Sequence, residues 1–144
     1  MTVVWREQSE TDVPPRDDWL NPRERARMTA MHFAKRRTDW RLGRWTAICA
    51  VAAYLDLPVD PGTFQELEIR SAASGAPEVW RGNRPATVAI SLSHRDGTAV
   101  CAAAPPWAQV WRALSTKYSL MPLNLPDVYK QKDSHCTNCH DTAT

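Results

Sequence analysis

The sequence predicts an α+β fold in which helices pack on a small antiparallel sheet. Residues 23–55 contain no proline and a single glycine, and their apolar side chains recur at helical spacing. Residues 64–70 and 88–92 instead alternate apolar and polar side chains, which is typical of half-buried strands. Because the strands follow the helices and are joined by turn signals, a helix-covered antiparallel sheet is the expected architecture.

The N-terminal region predicts a short strand, then an irregular arm, then two helices. The arm contains the polar, proline-bearing run at residues 12–18, which cannot continue a helix. A helix is expected to begin at Pro22, because Asn21 can cap it and Leu20 can pack back against it. A break near residues 33–37 divides the long apolar pattern into two helices.

Three strands are expected after the helices. The first covers residues 64–70, and a loop follows at residues 71–85, which hold two glycines and two prolines. The second strand leads through Ser93 and His94 to the turn signal Arg95-Asp96-Gly97. The apolar run at residues 98–104 returns as the third strand, so that the turn closes an antiparallel hairpin.

Composition and charge exclude several classes of protein. The chain has 144 residues and a formal net charge of +2, which favours one soluble domain and gives no field that would attract nucleic acid or an anionic membrane. The first residues lack the pattern of a signal peptide, so a cytoplasmic location is expected. Cys49 and Cys101 lie in apolar runs and are interpreted as small buried side chains, which argues against a disulfide framework.

The composition changes at Pro105-Pro106. Residues 1–105 are predicted to form one lobe, and residues 106–144 a divergent and poorly ordered tail, since no periodic pattern continues there. A shift in the reading frame of the gene is one explanation for this change.

Three segments together resemble the 4′-phosphopantetheinyl transferases of the two-lobed type that activates surfactin synthetase. They are residues 21–27 (NPRERAR), residues 33–47 (FAKRRTDWRLGRWTA), and Gly75-Ala76-Pro77 followed by residues 90–102 (ISLSHRDGTAVCA). The resemblance covers residues 20–105, which correspond to the N-terminal half of such an enzyme. It implies one lobe of the transferase fold.

In that family coenzyme A lies between two lobes, and its 4′-phosphopantetheine arm is transferred to a serine of an acyl or peptidyl carrier protein. Magnesium binds the pyrophosphate. The resemblance therefore implies coenzyme A as substrate, a carrier protein as partner and magnesium as cofactor.

Five positions of this chain match coenzyme A contacts of the family. Arg27 corresponds to a basic residue on the phosphate of the adenosine end, a role suited to the two-pronged guanidinium. Ser93 and His94 match a pair that grips the same phosphate region from the hairpin. Gly75 and Pro77 match the loop that brackets the adenine, where this chain has Ala76 in place of the more usual basic residue.

The resemblance ends before the family's magnesium ligands. The family continues with an Asp-x-Glu strand and later a Trp followed by Lys-Glu, whereas this sequence has no Asp or Glu between Asp96 and Asp127. No catalytic residue and no metal ligand can therefore be assigned. The chain is expected to be a truncated and inactive relative of the transferases.

Two other functions remain open. The lobe could be a binding or assembly module that pairs with itself or with a separately encoded second half. The tail, with Cys136, Cys139 and His140, has the pattern for covalent haem attachment, and together with His135 it offers a zinc ion two sulfurs and two nitrogens.

Overall fold

A computed structural model describes residues 2–106 of the protein. Within these residues the elements, in chain order, are β1 (Val4–Ser9), α1 (Pro22–Thr29), α2 (Ala34–Tyr54), α3 (Pro61–Glu66), β2 (Leu67–Ser71), β3 (Pro77–Arg81), β4 (Arg84–Arg95) and β5 (Thr98–Ala104). The strands form one sheet in the order β1-β5-β4-β3-β2, and all neighbouring pairs are antiparallel. The predicted α+β class is confirmed.

The start of α1 is the predicted one. The Asn21 side-chain oxygen accepts a hydrogen bond from the backbone N–H of Arg23 at 2.9 Å, and Pro22 occupies the first turn. The Asn21 amide also donates to the backbone oxygen of Gln65 at 3.0 Å, which ties the helix start to the end of α3. The break between α1 and α2 falls at residues 30–33, slightly before the predicted position.

Helix α2 packs across one face of the sheet, against β5, β1 and β4. The side chains of Ala99, Cys101 and Ala103 on β5 are fully buried on this face. A Cβ placed on Gly43 would lie 3.4 Å from a methyl group of Leu92 on β4. The small side chains of β5 therefore let the helix approach the sheet closely.

An aromatic cluster closes the core at the other side of α2. Trp19, from the arm before α1, packs edge-on against Trp45 with 5.1 Å between the ring centroids. Trp45 in turn packs edge-on against Phe64 of α3 at 5.4 Å. Such edge-to-face pairs are favourable beyond the area that they bury.

Two sequence predictions need correction. Residues 64–66, predicted as part of a strand, belong to α3, because Asp60 caps a helix with a bond from the Thr63 N–H at 2.8 Å and Pro61 follows the cap. The predicted loop at residues 71–85 contains strand β3, whose Val79 is buried in the core. The glycines that suggested a loop mark the turns at the two ends of this strand.

The β4–β5 hairpin matches its prediction. Arg95 pairs with Thr98, and the turn between them consists of Asp96 and Gly97, both with positive φ, 50° and 75°. The sheet face that α2 does not cover exposes apolar side chains, with Trp5 60% and Val100 38% exposed. Among the described helices, none is both long and apolar enough to cross a membrane.

Candidate functional site

All five predicted contact residues lie at one end of the sheet. Strands β2 and β4 run in the same direction because each is antiparallel to β3, so the β2–β3 turn and the β4–β5 turn lie at the same end. Helix α1 lies beside this end of the sheet, where it forms a cleft with β2. The topology therefore brings together three chain segments that are far apart in sequence.

The α1–β2 cleft has a volume of about 370 Å³. Its lining consists of Arg23, Glu24, Arg27, Glu68, Ile69, Arg70 and Ser71. Arg23 and Arg27 are four residues apart on α1 and therefore share one helix face. Within the described part of the chain neither of their guanidinium groups has a side-chain hydrogen bond or ion pair, so their donors are available to an anion.

Glu24 fixes the position of α1 beside the cleft. Its carboxylate is 3% exposed and accepts a hydrogen bond from the Ile69 N–H of β2 at 3.0 Å. The same oxygen lies 3.4 Å from Nε of Arg44 on α2. Burial raises the pKa of Glu24, and the charge of Arg44 and the Ile69 hydrogen bond oppose that shift. Glu24 thus links three elements and holds the Arg23–Arg27 face over the cleft.

Arg70 is the third guanidinium group of the cleft. It forms an ion pair with Glu68 at 2.7 Å, and its Cζ lies 4.1 Å from the centroid of the Trp80 ring. The sequence interpretation missed both Arg70 and Arg23. Arg23 could have been found from its helical spacing to Arg27, whereas Arg70 becomes recognisable only once the strand register places it beside α1.

Gly75 and Pro77 shape the β2–β3 turn. Gly75 has a φ of 84°, a left-handed conformation that side chains with a Cβ rarely adopt. Its N–H donates to the backbone oxygen of Ala72 at 2.9 Å. Pro77 opens β3 directly opposite Ser71 of the cleft, so this turn is continuous with the cleft wall.

Ser93 and His94 are exposed at the end of β4. Ser93 pairs with Val100 and His94 with the buried Ala99, so the two side chains leave the strand on opposite faces of the sheet. A group that contacts both must therefore lie at the strand end beside the Asp96-Gly97 turn. The structure does not place either of them among the cleft-lining residues.

Magnesium is the cofactor that the sequence resemblance implies. Residues 2–106 contain no group of three or more His, Cys, Asp or Glu side chains placed to hold a metal ion. The two buried carboxylates, Glu24 and Glu68, are already engaged by Arg44 and Arg70.

The cysteines fall into two groups. Burial raises the pKa of the Cys49 thiol to about 11 and that of Cys101 to about 12, so both remain protonated and unreactive at neutral pH. The haem or zinc motif of Cys136, Cys139 and His140, like the rest of the predicted tail from residue 107 onward, lies outside the described residues.

Comparisons with known proteins identify the fold. No protein-family model and no curated protein sequence matches the chain. Among solved structures, it is similar to the holo-(acyl-carrier-protein) synthase from Bacillus anthracis str. Ames in complex with CoA (3′,5′-ADP), at 18% identity and a TM-score of 0.57. That match covers 70% of this chain and 91% of the synthase.

Two further solved synthases are similar in fold to this chain. The enzyme from Helicobacter pylori, in complex with coenzyme A, is 13% identical with a TM-score of 0.55, over 72% of this chain and 99% of that chain. The enzyme from Neisseria meningitidis is 16% identical with a TM-score of 0.57, and the match covers 70% of this chain and 94% of that chain. A single lobe of this size thus corresponds to nearly the whole of each matched synthase chain. The described lobe therefore has the fold of these holo-(acyl-carrier-protein) synthases.

Proposed function

We propose that the lobe binds coenzyme A at the end of the sheet where α1, the β2–β3 turn and the β4–β5 turn meet. The observation that carries this proposal is the α1–β2 cleft, which Arg23 and Arg27 line beside the end of β2 without a side-chain hydrogen bond or ion pair within residues 2–106. The fold supports it, because matched structures include synthases in complex with coenzyme A.

The predicted contacts suit this ligand chemically. The Arg27 guanidinium offers a planar fork of N–H donors that matches two oxygens of one phosphate. The left-handed Gly75 and the following proline give the β2–β3 turn a fixed shape against which a base can pack. Ser93 and His94 add donors at the neighbouring strand end.

The reaction proposed for this site would transfer 4′-phosphopantetheine from coenzyme A to a serine hydroxyl of an acyl or peptidyl carrier protein. A phosphodiester bond to the serine oxygen forms, the pyrophosphate bond of coenzyme A breaks, and 3′,5′-ADP leaves. Negative charge builds on the leaving phosphate as the bond breaks, and this charge needs stabilisation by a metal ion or by cations. Because the sequence resemblance ends before the Asp-x-Glu strand of the family, we propose that the chain by itself binds coenzyme A without completing the transfer. A cytoplasmic location fits this role.

Binding is tested by titration calorimetry of coenzyme A into the full chain. Arg27→Gln is expected to weaken binding about tenfold, because a hydrogen bond to a charged group is lost. Arg84→Gln is the matched control, since Arg84 is an exposed arginine at the opposite end of the sheet. If wild-type protein shows no binding, the proposal is wrong.

Transfer is tested with a fluorescent coenzyme A analogue, magnesium and an apo carrier protein. The expected result is no labelling of the carrier by a chain that binds coenzyme A in the calorimeter. Labelling would contradict the proposed inactivity while leaving coenzyme A binding intact.

A second candidate function, assembly with another lobe, is favoured by the uncovered face of the sheet. Trp5 and Val100 expose apolar surface there, and the strand pairing places both on the same face. Such a surface is a candidate contact for another copy of the chain or for a separate second half.

Light scattering coupled to size-exclusion chromatography tests self-assembly. Wild-type protein is expected to elute as an oligomer that Trp5→Ser shifts toward monomer. Val59→Ser serves as the control, because Val59 is 76% exposed in the loop between α2 and α3. A wild-type monomer would leave a separately encoded lobe as the only partner in this candidate function.

A further inference from the structure

Glu24 is a buried carboxylate in which one oxygen is bound and the other has no donor. The residue is 3% exposed, although it lines the α1–β2 cleft. Its Oε1 accepts a hydrogen bond from the Ile69 N–H at 3.0 Å and lies 3.4 Å from Nε of Arg44. Its Oε2 is buried and has no hydrogen-bond partner within residues 2–106. A buried oxygen without a donor disfavours the ionised carboxylate, so a proton at this carboxyl removes a charge that its surroundings stabilise only in part.

The charges around Glu24 come from each element packed against it. Arg27 lies on the same helix, α1, while Arg44 lies on α2 and Glu68 on β2. Burial raises the pKa of Glu24, and the negative charge of Glu68 adds to that shift. The charge of Arg44, the Ile69 hydrogen bond and the charge of Arg27 lower the pKa. The protonation of Glu24 is therefore set by opposing contributions, and a new charge in the cleft changes their balance.

We propose that binding of an anionic ligand in the α1–β2 cleft is coupled to the uptake of a proton by Glu24, so that affinity falls as the pH rises. This inference rests on the proposed function and adds regulation by pH to the same site. A ligand phosphate brings negative charge close to the carboxyl and reduces the favourable field of Arg27 at Glu24. Arg23 and Arg70 line the same cleft, and a phosphate there offsets their charges as well. By reciprocity, a proton on Glu24 strengthens anion binding by the factor by which the anion strengthens proton binding.

The pH range of this coupling follows from the direction of each change. Burial already raises the pKa of Glu24 above its ordinary value of 4.5 in the free protein, and the bound anion raises it further. Proton uptake is largest between the pKa of Glu24 in the free protein and that in the complex, an interval that lies above pH 4.5. Within it the affinity falls by at most about tenfold per pH unit, because one proton is involved.

Glu68, the other buried carboxylate of the cleft, differs from Glu24 in its partner. Oε2 of Glu68 accepts a hydrogen bond from a terminal nitrogen of Arg70 at 2.7 Å. A charge-assisted bond of this kind is roughly twice as strong as a neutral one. The corresponding oxygen of Glu24 has no such donor in the described part of the chain. The proton taken up with the ligand is therefore assigned to Glu24 and not to Glu68.

Proton uptake is measured by titration calorimetry of coenzyme A into the full chain, in buffers that differ in ionisation enthalpy. Between about pH 5 and pH 8 wild-type protein is expected to take up more protons per ligand than Glu24→Gln, by a fraction of one proton. The amide of this variant still offers an acceptor to the Ile69 N–H. The phosphate of coenzyme A also titrates in this range, but it does so with every variant. Glu66→Gln, at an exposed glutamate that pairs with Arg81 at 3.1 Å, is the matched control and should behave like wild-type protein.

A second measurement needs no variant. NMR of the side-chain carboxyl carbons follows the titration of Glu24 and Glu68 separately in wild-type protein, with and without coenzyme A. The ligand is expected to move the titration midpoint of Glu24 to higher pH, because the anion disfavours the ionised carboxyl. This result would assign the proton to Glu24 directly.

Three results would overturn the inference. They are equal proton uptake by wild-type protein and a folded Glu24→Gln variant, a Glu24 midpoint that coenzyme A leaves unchanged or lowers, and a rise in the midpoint of Glu68 alone. Thermal unfolding identifies a Glu24→Gln variant that has lost its fold, in which case the NMR titration decides. If wild-type protein binds no coenzyme A at any pH, the proposed function itself is wrong; if it binds coenzyme A without involving Glu24, only the coupling is.

Discussion

The helix-packed face of the sheet and the α1–β2 cleft are built from opposite kinds of residue. Under α2 the contacts come from alanines, Cys101, Gly43 and other apolar side chains, which need no particular partner. In the cleft, charged side chains are brought together, and Glu24 is buried among them.

This difference separates stability from function. Apolar contact on the helix-packed face is favourable wherever shapes fit. Burying a carboxylate is costly unless ion pairs and hydrogen bonds offset it, and replacement by well-packed apolar groups is often neutral or stabilising. Stability alone therefore does not require the charged composition of the cleft. Such a departure from the most stable composition is expected at a functional site.

The largest expected effect lies in the apolar core. Phe64→Ala is expected to lower the free energy of unfolding by about 3–5 kcal/mol, because it removes a buried ring and leaves a cavity beside Trp45. Phe33→Ala is the matched control, since Phe33 is 74% exposed, and it should change stability by less than about 0.5 kcal/mol. Urea unfolding measures both. Equal effects would contradict the core position of Phe64.

Much of the fold could be predicted from the sequence because local signals and packing agree there. The cap at Asn21, the helical pattern of α2 and the Asp-Gly turn before β5 each depend on a few neighbouring residues. The prediction failed where a local signal was ambiguous. Residues 64–66 alternate like a strand, but a cap at Asp60 keeps them helical, and the glycines around β3 hid a strand of five residues.

The candidate site could be predicted only in part. Arg27, Gly75, Pro77, Ser93 and His94 were named from sequence, and the sheet topology gathers them at one end. Their roles stay predictions. Arg70 could not be named, because its place beside α1 depends on the β2 register and on the Glu24–Ile69 hydrogen bond, which spans 45 positions of sequence.

Replacing a glycine by alanine, once in the β2–β3 turn and once in α2, is expected to change stability by an intermediate amount. Gly75→Ala is expected to cost about 1–2 kcal/mol, because Gly75 has a φ of 84° and a Cβ is unfavourable there. Gly43→Ala should be close to neutral, since Gly43 is helical and its new Cβ would meet Leu92 at an ordinary contact distance of 3.4 Å. Thermal unfolding compares the two. A larger loss for Gly43→Ala would mean that the helix-packed face tolerates less than the turn.

The smallest expected effect is a dependence of stability on pH that arises from Glu24 in the cleft. Burial raises the pKa of Glu24 above its ordinary value of 4.5, so the folded protein binds a proton more tightly than the unfolded chain at this group. Stability from this group is complete below pH 4.5 and is lost as the pH rises through the raised pKa. Glu24→Gln keeps an acceptor for the Ile69 N–H but cannot titrate.

The stability of wild-type protein relative to Glu24→Gln should therefore fall as the pH rises. The slope cannot exceed about 1.4 kcal/mol per pH unit, because one proton is involved. Urea unfolding of both proteins between about pH 4 and pH 8 measures it. A rising difference would mean that Arg44 and the cleft arginines outweigh burial and lower the carboxyl pKa. In that case the charge of Glu24 would stabilise the cleft. The buried carboxylate would then no longer be a cost to stability, and only ligand binding would distinguish the cleft from the helix-packed face.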